Sequence, residues 1–159
     1  MIVVADAGPI HYLVLIGAVD VLQPLFSRVL VPQTVVDELQ EAAAPAAVRR
    51  WIAQPPAWLE IRPDPPSDRT MEFLDPGERA AISLAISLSA ERLLIDDWDG
   101  REEAARRHLL VTGTLGVLAD AHLAGLIDFE AVLAKLRDTN FYLSPELVDR
   151  VRRRLFRRK

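Results

Sequence analysis

The sequence predicts an α/β fold, a mostly parallel, twisted sheet with helices on both faces. Three observations carry that reading. Short apolar runs alternate along the chain with stretches of helical spacing, beginning with "IVVAD", and such alternation is the signature of a parallel sheet whose crossovers are helices. Two of the runs, "IVVAD" and "RLLID", end on an acid, as a buried strand does where it reaches the rim of its sheet. The 159 residues are 50% hydrophobic, enough for one domain with a sizeable core.

Taken in order, residues 2–6 read as the first strand. A turn at Gly8-Pro9 and a helical stretch from Ile10 to Phe26 follow, with a break at Gly17. "RVLVP" is the second strand, and Pro32 opens the helix "PQTVVDELQEAAA", where its missing N–H costs nothing. Residues 45–75 read as a loose surface connection; within it "WLEIR" is a strand candidate and "RPDPPSD" is too rich in proline for regular structure. "DPGERAAISLAISLSA" is an apolar helix, "RLLID" a strand, "DGREEAARRH" a charged helix and "LLVTG" the last strand. Helices "TLGVLADAHLAGLI", "DFEAVLAKLRD" and "SPELVDRVRRRLF" finish the chain, the last with a Ser cap, a Pro in the first turn and a Glu behind it. We expect a single domain, 1–159, ending in a basic helix or tail from about residue 145.

Composition narrows the chemistry. The absence of cysteine excludes disulfides, thiolate catalysis and cysteine-held metals, so any metal must bind through oxygen or imidazole. His11, His108 and His122 form no ligand-spaced pair and read as structural or surface residues. No apolar run reaches the roughly 18 residues of a membrane span, and the N-terminus lacks a signal-peptide layout; a cytoplasmic protein is expected, with no membrane association. Charge is divided unevenly: 12 basic and 23 acidic residues precede Arg150, whereas "RVRRRLFRRK" holds seven basic residues and no acid. That tail suits either a phosphate-binding arm or a solvated helix end facing the negative pole of the helix dipole.

The stretch "LLIDDWDGR" is the most informative. It ends a buried run on two adjacent aspartates, and carboxylates about 4 Å apart repel by about 4 kcal/mol at an effective dielectric near 20, so they need open water or a cation. Asp6 ends the first strand; Asp96 and Asp97 follow the fourth. In doubly wound sheets this carboxyl edge is where chemistry sits. Glu38, among Val35, Val36 and Leu39, and Glu78, ahead of Ile82 and Ala85, place two more acids beside buried helix stripes. Each has a plainer reading. Asp6 could form a turn, Glu38 could lie exposed beside Asp37, Glu78 could favour a helix N-terminus, and Asp96 or Asp97 could cap the next helix, although one cap does not explain two. If the acids converge, the matching ion is Mg2+ (or Mn2+), and the matching reaction is phosphodiester hydrolysis.

The ordered set "VADAGPI", "VPQTVVDEL", "LDPGERAAISLA", "LLIDDWDGREEA" and "TGTLGVL" resembles the PIN-domain superfamily, specifically a PIN-like family related to VapC-type toxins, from Ile2 to about Ile127. The resemblance implies a PIN-like three-layer sandwich and a metal-dependent ribonuclease. It implies Asp6, Glu38, Glu78 and Asp97 as catalytic residues, with Asp6, Glu78, Asp96 and Asp97 as metal ligands. Glu78 stands where many such toxins carry an aspartate. Thr112 and Thr114, on the same rim, would hold a water or a phosphate oxygen; Arg101, Arg106, Arg107, Arg152 and Arg153 would hold RNA backbone. Trp98 would stack on a base or, as the preferred reading, pack against the fold. A cognate antitoxin and a homodimer are the implied protein partners.

Other classes fit less well. A phosphoacceptor receiver needs a lysine after its last strand, and only Lys135 and Lys159 exist. A dehalogenase-type phosphatase needs a second acid in "DAGP", and "GTLG" is too short and late for a dinucleotide fingerprint. The competing reading is a catalytically inactive PIN-like module that binds RNA or a partner protein.

Overall fold

The computed structural model describes residues 1–156. Five parallel strands form one sheet: β1 (Val3–Ala5), β2 (Val29–Pro32), β3 (Leu59–Arg62), β4 (Arg92–Leu94) and β5 (Val111–Thr112), in the order β3-β2-β1-β4-β5. The chain winds outward from β1 to β3, crosses back to lay β4 on the other side of β1, and continues to β5. The order therefore reverses between β1 and β4, where Ala5 pairs with Leu94. Helices α1 (Ala7–Leu15), α2 (Leu22–Phe26), α3 (Gln33–Leu39), α4 (Ala46–Ala53), α5 (Pro76–Ser87), α6 (Trp98–Arg106), α7 (Thr114–Leu123), α8 (Phe129–Arg137) and α9 (Pro145–Phe156) cover both faces.

The strand period of two sorts the core into two clusters. Val3, Ala5, Val29, Val31 and Leu94 point to one side and pack with buried residues of α1–α4 and α7–α9. Val4, Leu30, Leu93 and Ile95 point to the other and pack with Ala81, Ile82, Leu84 and Ala85 of α5 and Ala104 of α6. This is the expected three-layer sandwich. The inner strands β1 and β2 are buried on both faces, which is why they read as unbroken apolar runs, whereas the edge strand β3 leaves Ile61 exposed.

Three expectations change in detail. The Gly8-Pro9 turn does not form: α1 starts directly at Ala7, and Pro9 lies in the first helical turn, where no N–H is needed. The second long helix stops at Leu39 rather than Ala44. The supposed loose connection contains α4, which buries Val48 and Ile52 against the core while Trp51 meets Trp58 at 6.0 Å between ring centroids. The break at Gly17 is real, and its φ of +72° is a conformation that favours glycine. Helix α9 occupies the described part of the basic end; residues 157–159 lie outside the described residues. Among the described residues no helix is long and apolar enough to cross a membrane.

Candidate active site

A cavity of about 1010 Å³ opens at the carboxyl ends of β1 and β4 and continues over the edge strand β5 towards α9. Its position follows from topology. Where strand order reverses, adjacent crossovers lie on opposite faces of the sheet and leave a crevice between their loops. Asp6 donates its backbone N–H to the carbonyl of Leu94 at 2.9 Å, which fixes the first acid beside the strand that leads to Asp96 and Asp97.

Six carboxylates line one half: Asp6, Glu38, Asp75, Glu78, Asp96 and Asp97. Asp6 occupies the N-cap of α1, yet its side chain makes no capping bond there. Burial pushes its pKa to about 7; the nearby Ala7 N–H offsets only part, while Asp75, Glu38 and Asp96 add repulsion. Glu78, in the first turn of α5, is pushed to about 8, first by burial and then by Asp75, Asp97 and Asp6. Glu38, on α3, is raised by burial and by Asp75. It reaches the cavity across Gly77, where a Cβ would overlap its carboxylate.

The adjacent aspartates do different work. Asp96 accepts two bonds from Thr114, one from its N–H and one from its hydroxyl, each at 2.7 Å. It thereby ties the end of β4 to the start of α7. Burial still raises its pKa, against the opposing Thr114 bonds and the Arg101 charge. Asp97 is exposed and caps α6 through a long bond of 3.5 Å from the Gly100 N–H. The plain capping reading thus holds for Asp97 alone, whereas Asp96 accepts from the first residue of α7, a helix 18 residues further on.

The fold brings Asp6, Glu38, Glu78, Asp96, Asp97, Thr112 and Arg101 to the cavity. Thr114 lies beneath it, fully buried, on Asp96. Arg101 also donates to the Ile95 carbonyl at 3.1 Å. Arg152 and Arg153 do not reach the cavity: Arg152 is paired with Glu130 of α8 at 2.8 Å, and Arg153 is exposed elsewhere on α9. Arg107 is likewise committed elsewhere, joining Glu103 to Asp68, and Arg106 pairs with Glu103. The packed reading of Trp98 is corrected: it lines the cavity and is 69% exposed.

Several lining residues were not expected. Asp75 caps α5 by accepting from the Glu78 N–H at 2.9 Å; its place before a proline at a helix start was the available signal. Arg92, Asp120, Tyr142, Arg150 and Arg154 line the far half of the cavity. An arginine opening the apolar strand "RLL" was the only hint among them.

The donor set fits a hard divalent cation, since carboxylate oxygens line the cavity and neither imidazole nor thiolate does. Among the described residues no three acidic or imidazole side chains stand close enough to enclose an ion ready-made. A bound ion would therefore draw carboxylates inward or keep much of its water, as Mg2+ commonly does.

A doubly wound parallel sheet whose reversal point opens onto an acid-lined crevice defines the class, an α/β three-layer sandwich with a carboxylate rim. The family model described as DUF3368: PIN domain matches residues 2–156, and the chain belongs to that PIN-domain family. The match takes in α8 and α9, beyond the segment that carried the sequence resemblance. A solved structure, a PilT N-terminus domain protein SSO1118 from the hyperthermophilic archaeon Sulfolobus solfataricus P2, aligns over 91% of this chain and 100% of that one, with a TM-score of 0.51 and 13% identity. At that identity the likeness concerns the fold alone. No curated protein sequence matches the chain.

Proposed function

We propose that the protein is a metal-dependent endoribonuclease, hydrolysing RNA phosphodiester bonds as the toxin of a toxin–antitoxin pair. One observation supports this above the others: acids from separate segments, Asp6, Glu38, Glu78, Asp96 and Asp97, meet at the reversal point of a PIN fold. A cavity with this charge repels a phosphodiester unless a cation joins it.

In this reading Asp6, Glu78, Asp96 and Asp97 would hold Mg2+ or Mn2+. A bound ion would supply Lewis acidity towards the phosphodiester. Glu38, beside Gly77, would accept a proton from the attacking water at its carboxylate. Thr112 and the Thr114 backbone fix the β5 rim through Asp96 and Arg92, and Arg101 supplies positive charge next to Asp96. A cognate antitoxin would cover the acidic half with a basic side chain, and the working form would be a cytoplasmic homodimer.

A second reading has its own support. Asp97 is engaged as the cap of α6 and Asp96 in two bonds from Thr114, and no ready-made cage exists among the described residues. That arrangement suits an inactive module that binds RNA or a protein. The deciding experiment is cleavage of a labelled structured RNA with Mg2+ or Mn2+, against chelator and against a folded Asp6→Asn protein. Metal-dependent cleavage lost in the variant supports the nuclease. Equal inactivity of both proteins, with melting unmoved by either metal, favours the binding module.

A further inference from the structure

The far half of the cavity has an opposite character. Arg92 donates to the Thr112 hydroxyl at 2.9 Å and lies 3.7 Å from Asp120, while Arg154 meets the other oxygen of Asp120 at 2.6 Å. Arg150, one turn before Arg154 on α9, lines the same wall, is exposed, and has no ion-pair partner among the described residues. Arg92 and Arg154 thus share the Asp120 carboxylate and Arg150 adds a third guanidinium, leaving a net positive wall. The link to the acidic half is short. Thr112, held by Arg92, is two residues from Thr114, held by Asp96.

Two exposed aromatic rings line the same cavity, Tyr142 and, next to Asp97, Trp98. Phe141 is half-buried, edge-on to Tyr12 at 4.9 Å between centroids, but its neighbour Tyr142 is 81% exposed and Trp98 is 69% exposed. Both rings line the cavity and neither is needed by the core. Exposed aromatic faces beside arginines are what unpaired bases stack on, with the guanidiniums following the phosphates. A duplex keeps its base faces inside the helix and cannot use such rings.

We propose that this half-cavity is a track for single-stranded RNA, with Arg92, Arg150 and Arg154 seating backbone phosphates and Tyr142 and Trp98 stacking bases on either side. The assignment rests on the nuclease reading for its direction, which leads the strand past Thr112 to the carboxylates, but its test does not need cleavage. Asp120 acts as the positioning residue: it spaces Arg92 and Arg154 and keeps both guanidiniums turned to the same wall.

The test is binding of a fluorescein-labelled ten-nucleotide oligouridylate, followed by anisotropy in chelator, where no metal-dependent cleavage occurs. Arg150→Glu should weaken binding about tenfold or more and flatten the salt dependence by about one unit of log–log slope. Tyr142→Ala should weaken it about five- to tenfold. Arg49→Glu, an exposed change of equal charge on α4 outside the cavity, should leave it within about twofold. An unlabelled mixed-sequence single strand should outcompete its own blunt duplex by at least about tenfold. Circular dichroism and melting establish that each variant is folded. Equal losses in Arg150→Glu and Arg49→Glu, no loss in Tyr142→Ala, or equal competition by the duplex overturns the track. Binding with this pattern but no cleavage under any metal would retain the track and remove the nuclease. Cleavage that is indifferent to Arg150 and Tyr142 would do the reverse.

Discussion

Glu38 enters the cavity only because residue 77 carries no side chain. A methyl group there would sit where the Glu38 carboxylate now lies, and the far end of a flexible side chain yields at little cost to the fold. Alanine also suits a helix better than glycine, by up to about 1 kcal/mol. Gly77→Ala should therefore melt at or slightly above the wild-type temperature while RNA cleavage falls at least about tenfold, as with Glu38→Gln. Unchanged cleavage in a folded Gly77→Ala protein would remove Glu38 from the reaction. At this scale the acids were legible because each stands where an apolar run makes a charge conspicuous: Asp6 after "IVVA", Asp96 and Asp97 after "LLI", Glu38 and Glu78 beside helix stripes. The basic wall was not legible. The tail offers seven cations, and only the phase of α9 selects among them. With Val148, Val151 and Leu155 buried, Arg150 and Arg154 fall together one turn apart while Arg152 turns to Glu130.

Between elements, the two aspartates after β4 separate into distinct tasks. Asp96 joins β4 to α7 with two short bonds to Thr114, a buried residue, so Asp96→Ala leaves the Thr114 N–H and hydroxyl without that partner. The expected cost is about 1–3 kcal/mol. Asp97→Ala loses one long bond at an exposed cap and should cost less than about 1 kcal/mol. Urea titration of the two variants should rank them in that order, whereas cleavage should fall in both. If Asp97→Ala retains full activity, the site works with Asp96 as its only carboxylate from this pair. A sequence shows that two acids are adjacent but not which helix start each faces, since α7 begins 18 residues after Asp96. Helix α4 was hidden for a different reason. Proline-rich flanks on both sides of "AAVRRWIA" read as irregular, although Val48, Trp51 and Ile52 recur at helical spacing. Outside that segment the alternation of strands and helices was plain, because strands buried on both faces leave no other use for runs such as "RVLVP".

For the molecule as a whole, the acidic half of the cavity makes stability depend on pH and on cations. The folded-state pKa values of Asp6 and Glu78 are raised from ordinary carboxylate values to about 7 and about 8. In the folded protein these groups therefore hold protons that the unfolded chain has already released. Their protonated forms give full stability below about pH 4, and that contribution is lost progressively as pH rises through the folded-state values. For buried Asp6 the loss by pH 8 is of order 1–4 kcal/mol. The metal-free protein should consequently melt lower at pH 8 than at pH 5.5, and Asp6→Asn, which cannot ionise, should melt higher than wild type at pH 8. A divalent cation that binds only the folded state stabilises by mass action, about 2.7 kcal/mol at a concentration 100 times its Kd. Mn2+ should then raise the wild-type melting temperature more at pH 8 than at pH 5.5, where protons compete for the carboxylates. The increase should shrink in Asp6→Asn. Calorimetry at the two pH values, with chelator and with Mn2+, separates the outcomes. A wild-type curve flat in pH would mean that the carboxylates ionise normally in the fold. A pH-dependent curve with no response to Mn2+ would mean that the acids are strained against one another for some purpose other than holding an ion.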